Sequence, residues 1–316
     1  MQLRSASRIA VMSLLLGGSA PFSFAQDSAH SQDGPPTVFS SRSELVVVHA
    51  TVTDGKSRPI AGLPREAFTV YEDGRPESVS FFNNEDSPVT VGLILDCSGS
   101  MQRKREAVVA AGLAFAASSH PKDEMFTVNF NEHVWDGLPP SMPFTTDVGE
   151  LRAALERSTS RGKTAMFDGL RAGLEHLSKG HEQKKVLILV SDGGDNASSS
   201  KFDSVLDLAL RMDAVIYTIS IPDQYDTDAK PDILKKLSRA TGGESFFPHK
   251  LEEVTEVLER IAHDIRSGYT LGYSPSQQAL GYRAIRVEVH PRAGRKLNVR
   301  ARSGYIAGGS TDQEQD

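Results

Sequence analysis

The chain has 316 residues, of which 39% are hydrophobic and 24% are charged, a composition typical of folded proteins rather than disordered ones. Its formal net charge of −6 at pH 7 argues against binding to nucleic acid or to an anionic membrane surface. Cys97 is the only cysteine, so no disulfide can form within the chain.

Residues 1–25 have the pattern of a secretory signal peptide. Arg4 and Arg8 precede an apolar run over residues 9–16, and a small-x-small cleavage site ends at Ala25. The apolar run is too short to span a bilayer as a stable helix, and we find no other candidate span. We therefore expect a periplasmic or secreted protein without a membrane span.

A polar leader over residues 26–36 separates the signal peptide from a block of short strands at 37–86. Strands are expected at 44–52, 68–71 and 79–82, where β-branched and aromatic residues dominate, with Asp-Gly turns between them. Fifty residues of short strands make a marginal unit if they stand alone.

Residues 88–266 alternate between short apolar runs and helical stretches. We expect strands at 89–95, 125–130, 185–190 and 214–221, and helices at 102–118, 148–158, 165–178, 202–212, 231–240 and 251–266. Apolar strands that are each followed by a helix are typical of a mostly parallel sheet that helices cover on both faces. We therefore predict a doubly wound α/β domain, with His133 and Trp135 in an antiparallel hairpin at one edge.

The β pattern returns in residues 268–306, with strands expected at 269–273, 282–289 and 297–301. Neither β block has enough strands to bury a face alone. We expect the two blocks to pair into one β-sandwich-like domain, with the α/β domain inserted between them in the chain. The tail at 307–316 is rich in Gly and acidic residues and is expected to fray.

Polar side chains follow two of the apolar strands, and a third group precedes a helix. The sequence Asp-Cys-Ser-Gly-Ser occupies positions 96–100, Thr164 follows the glycine loop at Gly162, and Asp192 ends the run from 185. In an open parallel sheet, ligands bind beyond the carboxyl ends of the strands, so we expect these groups to converge. The candidate metal ligands are Asp96, Ser98, Ser100, Thr164 and Asp192.

This donor set selects the kind of cation. Carboxylates and hydroxyls are hard oxygen donors that suit Mg²⁺, Mn²⁺ or Ca²⁺ and do not suit zinc or copper. Because Mg²⁺ keeps waters in its octahedral shell, one position can stay open for an oxygen of a partner. The alternative is that the hydroxyls only cap turns and helices, which is a frequent role for Ser and Thr.

Four further residues lie near these candidates in the sequence. Asp168, one helical turn after Thr164, is expected to bond backbone near the site rather than to bind the ion. Gly193 is assigned to the same surroundings, directly after Asp192. Asp195 and Asn196 follow two glycines and either widen the acidic edge of the site or form a solvated turn, of which we expect the turn.

The three motifs resemble the metal-ion-dependent adhesion site of von Willebrand factor type A domains. The resemblance covers residues 88–266. It implies Ser98, Ser100 and Thr164 as direct ligands, with Asp96 and Asp192 coordinating directly or through water. It also implies a protein partner that offers a carboxylate to the metal. The flanking segments resemble those of bacterial exported proteins that carry such a domain.

No catalytic residue is assigned, because the chain has no G-x-S-x-G elbow, no Walker loop and no H-E-x-x-H. We expect a non-enzymatic, exported protein that binds a protein ligand through a divalent cation. One alternative is a metal-dependent phosphohydrolase-like enzyme with Asp96 as the phosphoryl acceptor, although Ser98 stands where such families carry a second aspartate. Another is an envelope scaffold in which the metal is only structural.

Overall fold

The structure is a computed structural model that describes residues 45–157, 159–192, 194–221, 230–277, 279–290 and 296–308. The predicted signal peptide and leader, and the tail from residue 309 onwards, lie outside the described residues. Within these ranges, no helix has both the length and the apolar character needed to cross a bilayer.

The elements alternate as the sequence pattern predicts. The strands are β1 (Val46–Thr53), β2 (Phe68–Glu72), β3 (Arg75–Glu77), β4 (Val79–Asn83), β5 (Val89–Asp96), β6 (Glu124–Phe130), β7 (Val134–Asp136), β8 (Lys184–Ser191), β9 (Ala214–Ser220), β10 (Ser245–Phe246), β11 (Tyr269–Tyr273), β12 (Gly281–Val289), β13 (Asn298–Ala301) and β14 (Gly304–Ala307). The α-helices are α1 (Arg105–Ser118), α2 (Val148–Glu156), α3 (Met166–Leu177), α4 (Phe202–Arg211), α5 (Pro231–Thr241) and α6 (Glu253–Arg266). Two short 3-10 helices span Arg65–Ala67 and Gly99–Met101.

A six-stranded sheet in the order β10-β9-β8-β5-β6-β7 forms the middle of the fold. All neighbours pair in parallel except β6 and β7, which form the expected antiparallel edge. Every residue of β5 is buried, which explains why its sequence is almost continuously apolar. The prediction of a mostly parallel, doubly wound sheet is confirmed.

Helices cover both faces of this sheet. Helices α1, α2 and α6 pack on one face through residues such as Phe115, Leu151 and Leu258. Helices α3, α4 and α5 pack on the other face, where Leu170 and Leu234 are buried.

Helix α3 lies very close to the sheet at Gly173. A Cβ at this position would stand 2.4 Å from Ile94 Cδ1, so the close approach requires glycine. Nearer the start of α3, a Cβ at Gly169 would stand 2.6 Å from Phe130 Cδ1, and Phe130 ends β6, so the first turns of α3 lie at the carboxyl edge of the strands.

Two four-stranded antiparallel sheets make up the rest of the described fold, in the orders β13-β1-β11-β4 and β14-β12-β2-β3. Each sheet mixes strands from both ends of the chain: β1 lies between β11 and β13, and β12 lies between β2 and β14. The two sheets share one apolar core that includes Val48, Val70 and Leu271. The fold class, with a β-sandwich built from the two flanking segments, is therefore confirmed, while the residue limits of the domains stay predictions.

The structure differs from the sequence prediction at one helix and at three short strands. Helix α1 begins at Arg105 rather than at 102, because the chain first makes the 3-10 helix at Gly99–Met101. Strands β3, β10 and β14 were not predicted. They have two to four residues each, which is too short for a periodic pattern to be visible.

Candidate metal site

Asp96 and Asp192 lie at the carboxyl ends of two neighbouring strands. Asp96 ends β5, and Asp192 directly follows β8, which pairs with β5 in parallel. The chain leaves β5 towards β6 on one side and later returns to β8 on the other, so the crevice between β5 and β8 is the topological switch point. Both side chains are nearly buried, with 4% and 2% exposure.

Hydrogen bonds to both carboxylate oxygens set the orientation of Asp96. The backbone N–H of Ser98 donates to Oδ1 at 2.8 Å, and the Ser191 hydroxyl donates to Oδ2 at 2.7 Å. Burial raises the pKa of Asp96 to about 6, and the negative charge of Asp192 also raises it, while the hydrogen bonds oppose this shift. A buried pair of carboxylates that repel each other favours a cation beside them.

The hydroxyls of Ser98 and Ser100 lie side by side, with 3.1 Å between their Oγ atoms. Ser98 precedes the 3-10 helix with an extended backbone, and its side chain makes no capping hydrogen bond. Ser98 is buried and Ser100 is exposed, so the pair leads from the carboxylates to the surface. The structure therefore gives no support to a capping role for Ser98.

The loop that carries Thr164 is held against the Asp96 turn by backbone hydrogen bonds. Gly99 N donates to Gly162 O at 3.1 Å, and Arg161 N donates to Cys97 O at 2.8 Å. Gly162 has φ +79°, a conformation that favours glycine. Thr164 is buried, and Ala165 takes the N-cap position of α3, so the Thr164 side chain does not cap that helix.

Asp195 and Asn196 hold the Thr164 segment in place, a role that the sequence analysis missed. Asn196 Oδ1 accepts from Thr164 N at 3.0 Å, and Thr164 O accepts from Asn196 N at 2.9 Å. Asp195 Oδ1 accepts from Met166 N at 2.8 Å, which satisfies a free N–H in the first turn of α3. An Asp-Asn pair after glycines also favours a turn, so the sequence alone does not show this contact.

Asp168 and Gly193 are the two residues expected next to the metal ligands, and the structure describes the first of them. The Asp168 carboxylate accepts from the backbone N–H groups of Ser199 at 2.8 Å and Ser200 at 2.7 Å. Asp168 thus ties the start of α3 to the segment after Asp195 through backbone bonds. Gly193 lies outside the described residues.

A buried lysine lies beside Asp192 and was also missed. Lys104 follows the 3-10 helix, is buried, and places its Nζ 3.3 Å from Asp192 Oδ2. The ammonium group offsets part of the negative charge of the aspartate pair. The run of basic residues at positions 103–105 was the only signal in the sequence, and such runs are usually solvated.

The other polar groups of the described residues do not form a second kind of metal site. The Cys97 side chain is buried, and its thiol donates to Asn129 Oδ1 over 3.8 Å. Within the described ranges, no group of three or more His, Cys, Asp or Glu side chains is placed to hold a metal ion. A cation at the β5–β8 crevice would therefore depend on hydroxyl oxygens as well as on the two aspartates.

Comparison with known proteins gives matches in both sequence and fold. An uncharacterised protein from Synechocystis sp. is 26% identical over 180 residues, which cover 55% of this chain and 41% of that protein. The chain thus matches about two fifths of the length of this relative. A von Willebrand factor type A structure from Catenulispora acidiphila is 14% identical, with 87% of this chain and 76% of that chain covered and a TM-score of 0.52. Proximal thread matrix protein 1 from the mussel byssus is 14% identical, with 62% and 51% covered and a TM-score of 0.51.

At these identities the two structures show similarity of fold alone. The sequence profile of the von Willebrand factor type A domain matches residues 91–194, which run from β5 past the end of β8 and include every candidate metal ligand. Together with the parallel sheet and its two helical layers, this match shows that the protein contains a von Willebrand factor type A domain.

Proposed function

We propose that this is an exported, non-enzymatic protein that binds a protein partner through a divalent cation. The ligands would be Asp96, Ser98, Ser100, Thr164 and Asp192. The observation that supports this most is the convergence of two buried carboxylates with a pair of adjacent serine hydroxyls at the switch point of the sheet. Domains of this family mediate protein interactions, which agrees with the proposal.

The donor chemistry favours Mg²⁺, with Mn²⁺ or Ca²⁺ as the other candidates. All five side chains offer oxygen, the ligand atom that these hard cations prefer. When bound, the ion would attract a carboxylate of the partner as a Lewis acid. The chain's own part is to hold Asp96 in one orientation through Ser98 and Ser191, and to present the Ser100 hydroxyl at the surface.

A binding role fits Asp96 better than the role of a phosphoryl acceptor. Both of its carboxylate oxygens accept hydrogen bonds, and the side chain is only 4% exposed. A nucleophile needs an oxygen that is open to the substrate, whereas a metal ligand can stay beneath the surface.

Export is proposed from the pattern of residues 1–25, and the mass of the mature protein from a cell-envelope fraction would test it.

The experiment for the main proposal is capture of envelope proteins on the immobilised protein with Mg²⁺, followed by elution with a chelator. Asp96→Ala and Thr164→Ala should abolish cation-dependent capture while leaving the circular dichroism spectrum unchanged. The matched control is Asp232→Ala, which removes a carboxylate that is 95% exposed on α5. Undiminished capture by both site variants in excess chelator would refute the mechanism. If Mg²⁺ raises thermal stability but no protein is captured, the scaffold alternative is correct.

A further inference from the structure

Three exposed basic side chains lie around the candidate metal site: Arg103, Arg161 and Lys163, here called the basic rim. Arg103 follows the 3-10 helix that begins after Ser98, and Arg161 and Lys163 flank Gly162. The Gly162 loop is bonded to the Asp96 turn through Gly99 N, so all three belong to segments that meet at the site.

The basic rim is available for a ligand. All three side chains are exposed, and among the described residues none of them is in an ion pair. The acid bonded to this loop, Glu132, is exposed and uses its Oε2 to accept from Lys163 N at 2.9 Å. The rim therefore presents guanidinium and ammonium groups to solvent rather than to the protein.

Exposed basic side chains are gathered around the site although the chain as a whole is acidic. The chain carries a formal net charge of −6. At the site, by contrast, the three side chains of the basic rim are exposed, whereas Asp96 and Asp192 are buried and Asp168 and Asp195 accept backbone hydrogen bonds; a bound divalent cation would add positive charge. Exposed positive side chains on an acidic protein raise the local concentration of anionic ligands at that place.

We propose that the basic rim extends the metal site into a receptor for an acidic peptide segment. This inference rests on the proposed function. One carboxylate of the segment coordinates the cation, and neighbouring carboxylates pair with Arg161, Lys163 and Arg103. Guanidinium groups bind carboxylates in a bidentate geometry, so the rim adds specificity for a ligand with several acids over one with a single acid.

The same charges fit an acidic peptide better than a nucleic acid. Nucleic-acid binding gains its affinity from many phosphate contacts in a row, and the rim offers only three side chains. The surrounding surface of an acidic protein repels a long polyanion, whereas a short acidic segment can end within the rim.

The test uses a fluorescent oligoglutamate peptide and a matched alanine-rich peptide with a single glutamate, with binding followed by anisotropy in Mg²⁺. The variant Arg103→Gln/Arg161→Gln/Lys163→Gln should bind oligoglutamate about tenfold to a hundredfold more weakly, with a shallower dependence on salt. Binding of the single-glutamate peptide should change by less than about twofold. The variant removes only the ion pairs with further carboxylates, and this peptide has no further carboxylate side chain. Mg²⁺ binding, measured separately by titration calorimetry, should not be weakened, because the variant removes only positive charges around the site.

The control variant removes three exposed lysines far from the site, Lys56→Gln/Lys122→Gln/Lys179→Gln, and should bind oligoglutamate like the wild type. A second readout needs no metal: in chelator, the wild type should retain weak, salt-sensitive binding of oligoglutamate that the rim variant lacks. If the wild type binds neither Mg²⁺ nor either peptide, the proposed function itself fails. If Mg²⁺ binds but oligoglutamate binding is absent, or is equal in wild type and rim variant, only the present inference is overturned. Equally tight binding of an oligothymidine of the same charge would overturn the peptide class.

Discussion

Arg300, on β13 of the sandwich, donates a hydrogen bond through Nη2 to Oδ2 of Asp264, on α6 of the α/β domain. The Asp264 side chain has 0% exposure and that of Arg300 has 21%, so this ion pair is largely buried where the two parts of the fold meet. Arg300 also contacts Glu244, which accepts from Arg260 of α6 at 3.0 Å. The contact between the sandwich and the last helix is thus made by a network of charges.

Replacing Arg300 should destabilise the protein strongly. Arg300→Met would leave the Asp264 carboxylate buried without its charge partner, which costs about 3–5 kcal/mol in comparable cases. The measurement is the free energy of unfolding from urea titration. The double variant Arg300→Met/Asp264→Leu should recover most of the loss, because apolar residues remove the stranded charge as well.

The matched control for this prediction is Arg171→Met on α3. Arg171 pairs with Glu175 at 2.8 Å, but both side chains are more than half exposed. Exposed pairs four residues apart contribute about 0.3–0.5 kcal/mol. Equal losses in the Arg171 and Arg300 variants would show that the buried pair has no special weight.

His49 should make the folded state sensitive to acid. Its ring is 6% exposed, with Nδ1 3.2 Å from Thr270 Oγ1, and burial lowers its pKa to about 3, with the charges of Lys184 and Arg302 acting in the same direction. The unfolded chain takes up a proton near pH 6.5, whereas the folded state stays neutral. Stability from this group is therefore complete above pH 6.5 and is lost as the pH falls towards 3.

The measurement compares the urea unfolding of wild type and His49→Gln between pH 7.5 and pH 4. The wild type should lose more stability than the variant over this range. Asp96, whose pKa is raised to about 6, contributes with the opposite sign, but it does so equally in both proteins. The control His263→Gln changes an exposed histidine on α6 and should follow the wild type. Parallel curves for wild type and His49→Gln would contradict the prediction.

The parts of the fold that could be predicted are those in which burial is uniform along an element. Every residue of β5 is buried, so its apolar run and the Asp96 turn are both visible in the sequence. In β12, by contrast, buried and exposed residues alternate over 282–286, and the period of two predicts a strand with one solvated face. These patterns depend only on local residue order.

The parts that could not be predicted depend on which segments approach each other in space. In the sequence, Lys104 is one of three consecutive basic residues at 103–105. Only the fold shows that its side chain is buried beside Asp192. Asn196 likewise reads as part of a turn until its bond to Thr164 is seen. The two candidate aspartates could be placed together because parallel strands end at one edge, a property of the fold class rather than of side-chain packing.

The lysine beside Asp192 should weaken cation binding. Lys104→Met removes the ammonium group 3.3 Å from Oδ2, so the two carboxylates would attract a divalent ion more strongly. We expect Mg²⁺ affinity to rise by roughly tenfold, equivalent to about 1.4 kcal/mol. Titration calorimetry measures the affinity directly, and Lys179→Met, on the exposed surface at the opposite edge of the sheet, serves as the control.

Cation binding should also appear as stability. A ligand that binds only the folded state at about 100 times its Kd adds about 2.7 kcal/mol, so Mg²⁺ should raise the free energy of unfolding of the wild type. Ser98→Ala removes one of the paired hydroxyls and should require more Mg²⁺ for the same gain. A gain that is identical in Ser98→Ala and wild type at limiting Mg²⁺ would place the cation elsewhere.

Gly162 should be needed for the geometry of the site. A Cβ at this position would lie 1.8 Å from Glu132 Oε2, and the φ of +79° strains any residue with a side chain. Glu132 can rotate away only by losing its bond from Lys163 N. Because Gly162 O accepts from Gly99 N, a shift of this loop would move Thr164 relative to the serines.

We therefore expect Gly162→Ala to lower the free energy of unfolding by about 1–2 kcal/mol and to weaken Mg²⁺ binding. The control Gly55→Ala lies in an exposed turn where a Cβ would meet nothing within 4 Å, and it should leave both quantities unchanged. Adding Glu132→Ala to Gly162→Ala separates the two causes, because it removes the clash and leaves the backbone strain. If Gly162→Ala binds Mg²⁺ like the wild type, the position of the Thr164 loop does not depend on Gly162, and the proposed need for glycine at this position is refuted.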